Sequence, residues 1–565
     1  MNPKPGPDGS TFDPGQGSDG DAALESPPLR TRPLAILIVA AAALGLTACQ
    51  GGKAQRPACP AGQVCLEYGN ESDPLTLDPQ TANLLTESRV IGDLMVGLTT
   101  EAPDASPLPG VATSWETSAD GLTWTFHLRD SKWSDGVALT ADDFIYAYRR
   151  ILDPKTASIY AYLVTLLKNG QSVNDGKAPL QAVGARALDA HTLELTLEHP
   201  APYLPQLLMH QSFYPVPRHV VEKLGDAWTK PGNYVSNGAY ALVDWRLGDR
   251  VRVARNPAFF DAAHVCIDRI DYFPTADVVS AERRVKRGEL DLNTTFQSNR
   301  LQHLREVMAG YPRPHLTLAT YYLSFNTRTV KPLQDKRVRR ALSEAIDRDF
   351  VTQKLQRAGQ ISAYSFVPPG VANFAYGART AWAGESLAQR QVEARALLAQ
   401  AGFSPAHPLK LEIKASSATE TLLLMEAVQA DWRAIGVDAS IVQNESQVAF
   451  AAYRDRDFQV GSMSWIADFN DPMTFLGLLK SDTGPQNYGD YNNPAYDALL
   501  ARADQEPDAA ARAQILKRAE QTMLDDEGMA PVSFTVSRSL VSPKVTGWVG
   551  NPLNVHRARW LCRKP

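Results

Sequence analysis

The stretch Trp124-Thr125-Phe126-His127-Leu128-Arg129, followed by Lys132-Trp133-Ser134-Asp135-Gly136 and then Thr140-Ala141-Asp142-Asp143-Phe144, sets the reading of this chain. Trp124, Phe126 and Leu128 alternate with Thr125 and His127, the two-residue period of a half-buried strand. Thr140 then opens a helix. Its hydroxyl can cap free backbone N–H groups, and Asp142 and Asp143 suit the positive end of a helix dipole. Phe144, Tyr148 and Ile151 follow on one helical face.

The same two patterns recur on both sides of this stretch. Leu193, Leu195 and Leu197 alternate as a strand does, and so do Val251 and Val253. Val338, Ala341, Leu342, Ala345, Ile346 and Phe350 repeat at helical spacing. Val392, Ala396 and Leu397 predict another helix that stops at Gly402. Glu420 to Ile435 predicts a further one, stopped by Gly436 and followed by a strand over 437–442. Alternating helices and strands argue for α/β layers. No 20–50-residue period is visible, which argues against a solenoid.

The N-terminal region addresses the chain. Leu34 to Leu46 is a 13-residue apolar run behind Arg30 and Arg32. It is too short for a bilayer, which takes about 20 apolar residues, and has the form of a secretory signal. Its ending, Leu46-Thr47-Ala48-Cys49, resembles the lipobox of bacterial lipoproteins. That implies cleavage before Cys49 and lipidation of it, with several acyl chains anchoring the product stably. Residues 1–33 read as a Gly-, Pro-, Asp- and Ser-rich extension with the composition of disorder. Gly15-Gln16-Gly17-Ser18-Asp19-Gly20 within it matches a dinucleotide fingerprint only formally, having neither the strand nor the helix that motif needs.

About 515 residues remain after Cys49, enough for two or three domains. Hydrophobic residues make up 44% and charged residues 21%, the proportions of a globular protein, and no further stretch is long and apolar enough to span a membrane. The net charge of −5 with no basic run argues against nucleic acid. Without Cys49 there are four cysteines, Cys59, Cys65, Cys266 and Cys562, an even number suited to an oxidising compartment. Four cysteines allow three pairings. Cys59–Cys65 with Cys266–Cys562 is favoured, the first a local loop and the second a pin on the C-terminus.

Catalytic signatures are missing from the sequence. There is no Gly-x-Ser-x-Gly elbow, no His-Glu-x-x-His, no Cys-x-x-Cys and no P-loop. His127 lies on the polar side of its strand, and Asp142-Asp143 and Asp525-Asp526 read as helix-end charges. The sequence reading is therefore of a protein that is not an enzyme and has no metal or cofactor. Aromatic residues in turn-rich segments, Tyr160, Tyr162, Tyr203, Tyr321, Tyr322, Trp465 and Tyr488, suit pockets for varied side chains if several converge.

The Trp124–Arg129, Lys132–Gly136 and Thr140–Phe144 motifs resemble the family 5 bacterial extracellular solute-binding proteins. So do Trp228–Asn233, Ser236–Tyr240, Tyr321-Tyr322 and Trp465–Asn470. Within that family the likeness is to the members that carry oligopeptides for ABC importers, and it runs from about Leu66 to the C-terminus. The resemblance implies a type II, cluster C periplasmic-binding-protein fold: two α/β lobes that close on ligand by a hinge, with an extra domain. Residues 49–65 would be the lipidated cysteine and linker. Lobe I would take 66–95, 218–320 and 535–565, the additional domain 96–217, and lobe II 321–534. Cys266–Cys562 would then join two segments of one discontinuous lobe, which favours that pairing.

The resemblance also implies a mechanism. A monomeric, lipid-anchored receptor in the periplasm or cell envelope would grip the features common to short peptides and deliver them to permease subunits. An extended peptide can add to a strand edge through backbone hydrogen bonds. Ser464 and Ile466 would supply such groups from one lobe, and Asn237 and Gly238 from the other. Asp468 would pair with the peptide's ammonium, which needs a charged partner when buried. Trp465, Tyr160 and Tyr322 would line hydrated side-chain pockets.

Asn83 stands where the family has a glutamate, Ser462 where it has an arginine, Glu420 near a histidine and Gln447 at a tryptophan, while Arg454 falls beside another family arginine. The N-terminal anchor is kept and the C-terminal anchors are partly lost. This points to altered length preference or a modified C-terminus. Other readings are a modified ligand such as a murein peptide, a nickel complex, haem or an opine, or a secreted peptidase on the same scaffold.

Overall fold

Ten strands, ordered by hydrogen bonding rather than by sequence, form the spine of the molecule, with the short strand Ile361–Ser362 added at one point. Across the sheet they run Tyr240–Arg246, Arg250–Arg255, Arg269–Phe273, Cys65–Gly69, Leu292–Asn293, Met529–Val541, Pro312–Phe325, Val460–Ile466, Leu409–Ser416 and Val437–Asn444. A computed structural model of the chain describes residues 57–564. The expected extension 1–33, signal segment 34–48 and lipidation at Cys49 lie outside the described residues. Among the described residues, no helix is long and apolar enough to cross a membrane.

Two long central strands tie the halves of the sheet together. Pro312–Phe325 and Met529–Val541 pair antiparallel, with Pro312 opposite Leu540 at one end and Ser324 opposite Met529 at the other. Leu292–Asn293 joins them at the first end, through Leu292↔Val541, and Val460–Ile466 at the second, through Phe325↔Val460. The register breaks midway, between Leu316↔Val536 and Thr320↔Phe534. That waist separates two lobes, each with its own core. One core is built on Leu66, Ile91 and Ile270. Beyond the waist, one group gathers Phe366, Phe475 and Leu516, and another Val338, Leu411 and Val428.

The opening motifs of the sequence build a separate small sheet, Ala112–Thr117, Thr123–Leu128, Thr192–Thr196 and Ala185–Asp189 in spatial order. Trp124, Phe126 and Leu128 are buried and His127 is exposed. The helix Ala141–Leu152 packs beside it, with Asp143 Oδ2 accepting from the Thr140 N–H at 2.9 Å. Phe126, Phe144 and Leu193 belong to the same core as Leu66 and Ile270, so this sheet is continuous in packing with the first lobe.

Two helices differ from the expected patterns. The run Val338–Phe350 is interrupted: its helix is Lys336–Glu344, and Asp347 caps a new one, Arg348–Phe350, by accepting from the Phe350 N–H. Phe350 thereby turns outward. In Leu387–Gln400 the buried face is Ala394, Leu397 and Leu398, leaving Val392 on the solvent side. Both favoured disulfides are formed, with Cα–Cα distances of 5.8 Å for Cys59–Cys65 and 5.3 Å for Cys266–Cys562.

Candidate functional site

The strand Val460–Ile466 has one edge fully paired and one edge open. Along the first it pairs with Pro312–Phe325 from Val460 to Ile466. Along the second it pairs with Leu409–Ser416 only at Val460 and Gly461. Beyond Gly461 none of the described strands pairs with that edge, and Ser464 and Ile466 are exposed there. An open strand edge presents unused N–H and C=O groups to a passing chain.

The loop after this strand is tightly held. Ala467 N–H donates to Leu318 O at 2.8 Å, and Asp468 N–H donates to Thr474 Oγ1 at 3.0 Å. Asp471 accepts two bonds from Arg512, at 2.7 and 2.9 Å, and both side chains are buried. The Arg512 guanidinium also lies 4.9 Å over the Tyr203 ring, which stacks on Phe469.

That scaffold aims Asp468 at the opposite wall. Tyr162 donates its hydroxyl to Asp468 Oδ2 at 3.0 Å, and the Tyr160 hydroxyl also favours the charged carboxylate. Asp468 is part-buried. Removal from water pushes its carboxyl up to about 7, and the Tyr162 and Tyr160 hydroxyls temper the rise. Burial, reinforced by the Asp468 charge, drives both tyrosines well above the ordinary phenol range, so they remain donors. Among the described residues, no cation shifts the Asp468 carboxyl back.

A cavity of about 280 Å³ opens in front of this carboxylate. Ser464, Trp465, Ile466 and Asp468 form one side, Tyr160 lies on another and Asn83 on a third. The Asn83 segment is fixed by Glu87, whose Oε2 accepts from the N–H groups of Asn83 and Leu84 at 2.7 and 2.9 Å. The same carboxylate's Oε1 holds the N–H groups of Leu75 and Thr76. The cavity therefore gathers six of the residues expected at the site.

The other expected residues are placed elsewhere. Tyr322 is 4% exposed and packs edge-on against Phe366 in the second lobe's core. Asn237 is buried and bonds both ways to the Val96 backbone, through Nδ2 to O at 2.8 Å and Oδ1 from N at 3.1 Å. Gly238 lies so close to the chain that a Cβ would come within 2.6 Å of the Leu94 carbonyl carbon. The side chain of Asn237 and the N–H of Gly238, bonded to Leu94 O, thus serve as internal ties to the 94–96 backbone. Arg454 is exposed at the end of the helix Ser446–Arg454, and its nearest electrostatic effect is on Tyr488. Ser462 is buried, with its hydroxyl bonded to that of Tyr321. Gln447 is exposed.

Other cavity residues carried no sequence signal strong enough to select them. Arg557 lies in the C-terminal segment and donates to Glu101 at 2.5 and 3.2 Å and to Ser88 O at 3.0 Å. Burial works to raise the Glu101 carboxyl, but Arg557 more than offsets it and holds it below the usual range. His210 also lines the cavity, and burial lowers its imidazole to about 4, leaving it neutral.

Residues 106–487 match the model for bacterial extracellular solute-binding proteins, family 5. This chain belongs to that family. It is 36% identical over 498 residues to the periplasmic oligopeptide-binding protein OppA of Escherichia coli, covering 86% of this chain and 90% of that one. Among solved structures, the E. coli murein tripeptide binding protein MppA superposes with a TM-score of 0.83 at 34% identity, over 89% of this chain and 99% of that one. Against MppA in its unliganded open form the TM-score is 0.72, over 89% of this chain and 98% of that one, at the same identity. The fold is thus the two-lobed type II binding-protein fold of this family, and the Tyr162–Asp468 bond and the Tyr203–Phe469 stack reach across its gap.

Proposed function

We propose that this protein is a lipid-anchored receptor of the cell envelope that captures short peptides between its lobes and hands them to an ABC importer. Asp468 carries the reading. It is a desolvated carboxylate facing a cavity and held by the Tyr162 phenol, with no compensating cation among the described residues. A peptide ammonium supplies that charge, and burying an ion without its partner is costly. The open edge at Ser464 and Ile466 offers backbone groups to the main chain that follows. The likeness to an oligopeptide-binding protein and to a murein tripeptide-binding protein supports a peptide cargo. Lobe I is assigned to 66–95, 218–320 and 535–565, the additional domain to 96–217 and lobe II to 321–534. Titration calorimetry of triglycine against N-acetyltriglycine tests the assignment: the free amine binds and the acetylated peptide binds at least tenfold more weakly, by about 1.4 kcal/mol or more. Equal affinities refute it.

A further inference from the structure

Glu420 closes a second set of contacts across the gap, away from Asp468. It stands in the first turn of the helix Thr419–Ala434, which packs on Leu409–Ser416 and Val437–Asn444 at one end of the sheet. Its Oε1 accepts from the Ser298 N–H at 2.9 Å and the Ser298 hydroxyl at 3.1 Å. Ser298 follows the strand Leu292–Asn293, on the other side of the waist. Both Glu420 oxygens also accept from Arg538 Nη1, at 2.6 and 2.7 Å, and Arg538 sits on the long strand Met529–Val541.

These contacts are linked to the strand that borders the cavity. Thr421, the neighbour of Glu420, acts on the hydroxyl of Tyr321, which meets Ser462 on the strand that carries Ser464. In the other direction, Arg538 acts on Glu71, which pairs at 3.0 Å with Arg89 beside the cavity residue Ser88. A backbone N–H, a hydroxyl and a guanidinium converging on one point are the donors that a terminal carboxylate takes. Here one lobe's own carboxylate takes them.

We infer that Glu420 is an internal substitute for a cargo carboxylate: when the lobes close it fills the anion site made by Ser298 and Arg538. Closure then needs no free C-terminus. Resting on the peptide reading above, this defines the cargo as peptides whose C-terminus is amidated or otherwise masked as readily as free acids.

The test is calorimetry of the whole protein with tri-, tetra- and pentaalanine, each as the free acid and as the C-terminal amide. The wild type binds acid and amide within about threefold at every length. Glu420→Ala vacates the site, so at the length that reaches it the acid gains on the order of tenfold over the amide, the scale of one charge-assisted hydrogen bond. Glu420→Gln, which still offers an acceptor oxygen, shows no such gain. As a check that does not depend on peptide, sodium acetate raises the melting temperature of Glu420→Ala above its value in sodium chloride and leaves the wild type unmoved. A wild type that already favours acids tenfold, or a Glu420→Ala variant with the wild-type ratio and no acetate effect, overturns the inference. Flat isotherms for acids and amides alike sink the peptide reading instead, and the acetate effect then decides on the carboxylate site alone.

Discussion

Tyr162 and Asp468, 306 residues apart in sequence, meet in the tertiary structure, the phenol donating to the carboxylate at 3.0 Å. The bond supplies a hydrogen-bond donor to the carboxylate but no charge. Desolvation therefore still leaves the Asp468 carboxyl at about 7. A peptide ammonium returns it toward the usual carboxylate range. Below pH 7 the complex must then shed a proton as it forms, and affinity falls as the pH drops from 7 to 5. The slope is at most about tenfold per pH unit, the limit for one proton. Asp468→Asn abolishes the slope and weakens binding at pH 7.5 by about 3 kcal/mol, the scale for a buried charge left without its partner. Calorimetry with a free tripeptide from pH 5 to 7.5 checks both, and a flat wild-type profile defeats the assignment.

Tyr162→Phe removes only the hydroxyl. The ionised Asp468 loses a donor, so its carboxyl rises further and the midpoint of the pH dependence moves up. Affinity for a free peptide at pH 7 falls by about tenfold, equivalent to one hydrogen bond to a charged group of about 1.5 kcal/mol. The melting temperature of the cargo-free variant stays close to that of the wild type. Binding unchanged at pH 7 shows that the hydroxyl does not tune the carboxylate.

Much of this architecture is legible in the residues, and the exceptions share a cause. The Trp124–Leu128 alternation and the Thr140–Asp143 cap announce themselves because one face meets water and the other a core. Tyr322 does not, because Pro312–Phe325 runs through the middle of the sheet with covered faces, where alternation no longer separates pocket from core. Asp468 and Trp465 are visible through a local motif. Tyr162, which bonds Asp468, and Arg557, which lines the same cavity, come from distant segments, and only the tertiary structure brings them together. Asn237 and Gly238 lie inside a recognisable motif, yet their polar groups bond to the 94–96 backbone, and spacing alone cannot tell a ligand donor from an internal tie.

Arg512 secures the loop that presents Asp468. Its bidentate bond to Asp471 is buried on both sides, so removing the cation leaves an uncompensated carboxylate. Arg512→Ala lowers stability by about 3–5 kcal/mol. Asp471→Asn with Arg512→Met, which removes both charges, recovers part of that loss. Urea unfolding of the three proteins measures it. A single variant within about 0.5 kcal/mol of the wild type, the range of an ordinary surface substitution, contradicts a structural role for the pair.

The two disulfides close loops of very different size, with separations of 6 residues for Cys59–Cys65 and 296 for Cys266–Cys562. Cross-linking restricts the unfolded chain more as the loop grows, by about 2 kcal/mol for the short loop and about 6 kcal/mol for the long one on the chain-entropy model. The long bridge also pins the segment that brings Leu553, Val555 and Arg557 into the cavity wall. Cys266→Ser with Cys562→Ser therefore lowers the melting temperature more than Cys59→Ser with Cys65→Ser, and it alone weakens peptide binding, because the Arg557–Glu101 pair loses its support. Differential scanning calorimetry and binding titrations on the two double variants separate these effects. Equal melting temperatures with equal affinities contradict the claim that the C-terminal pin organises the cleft.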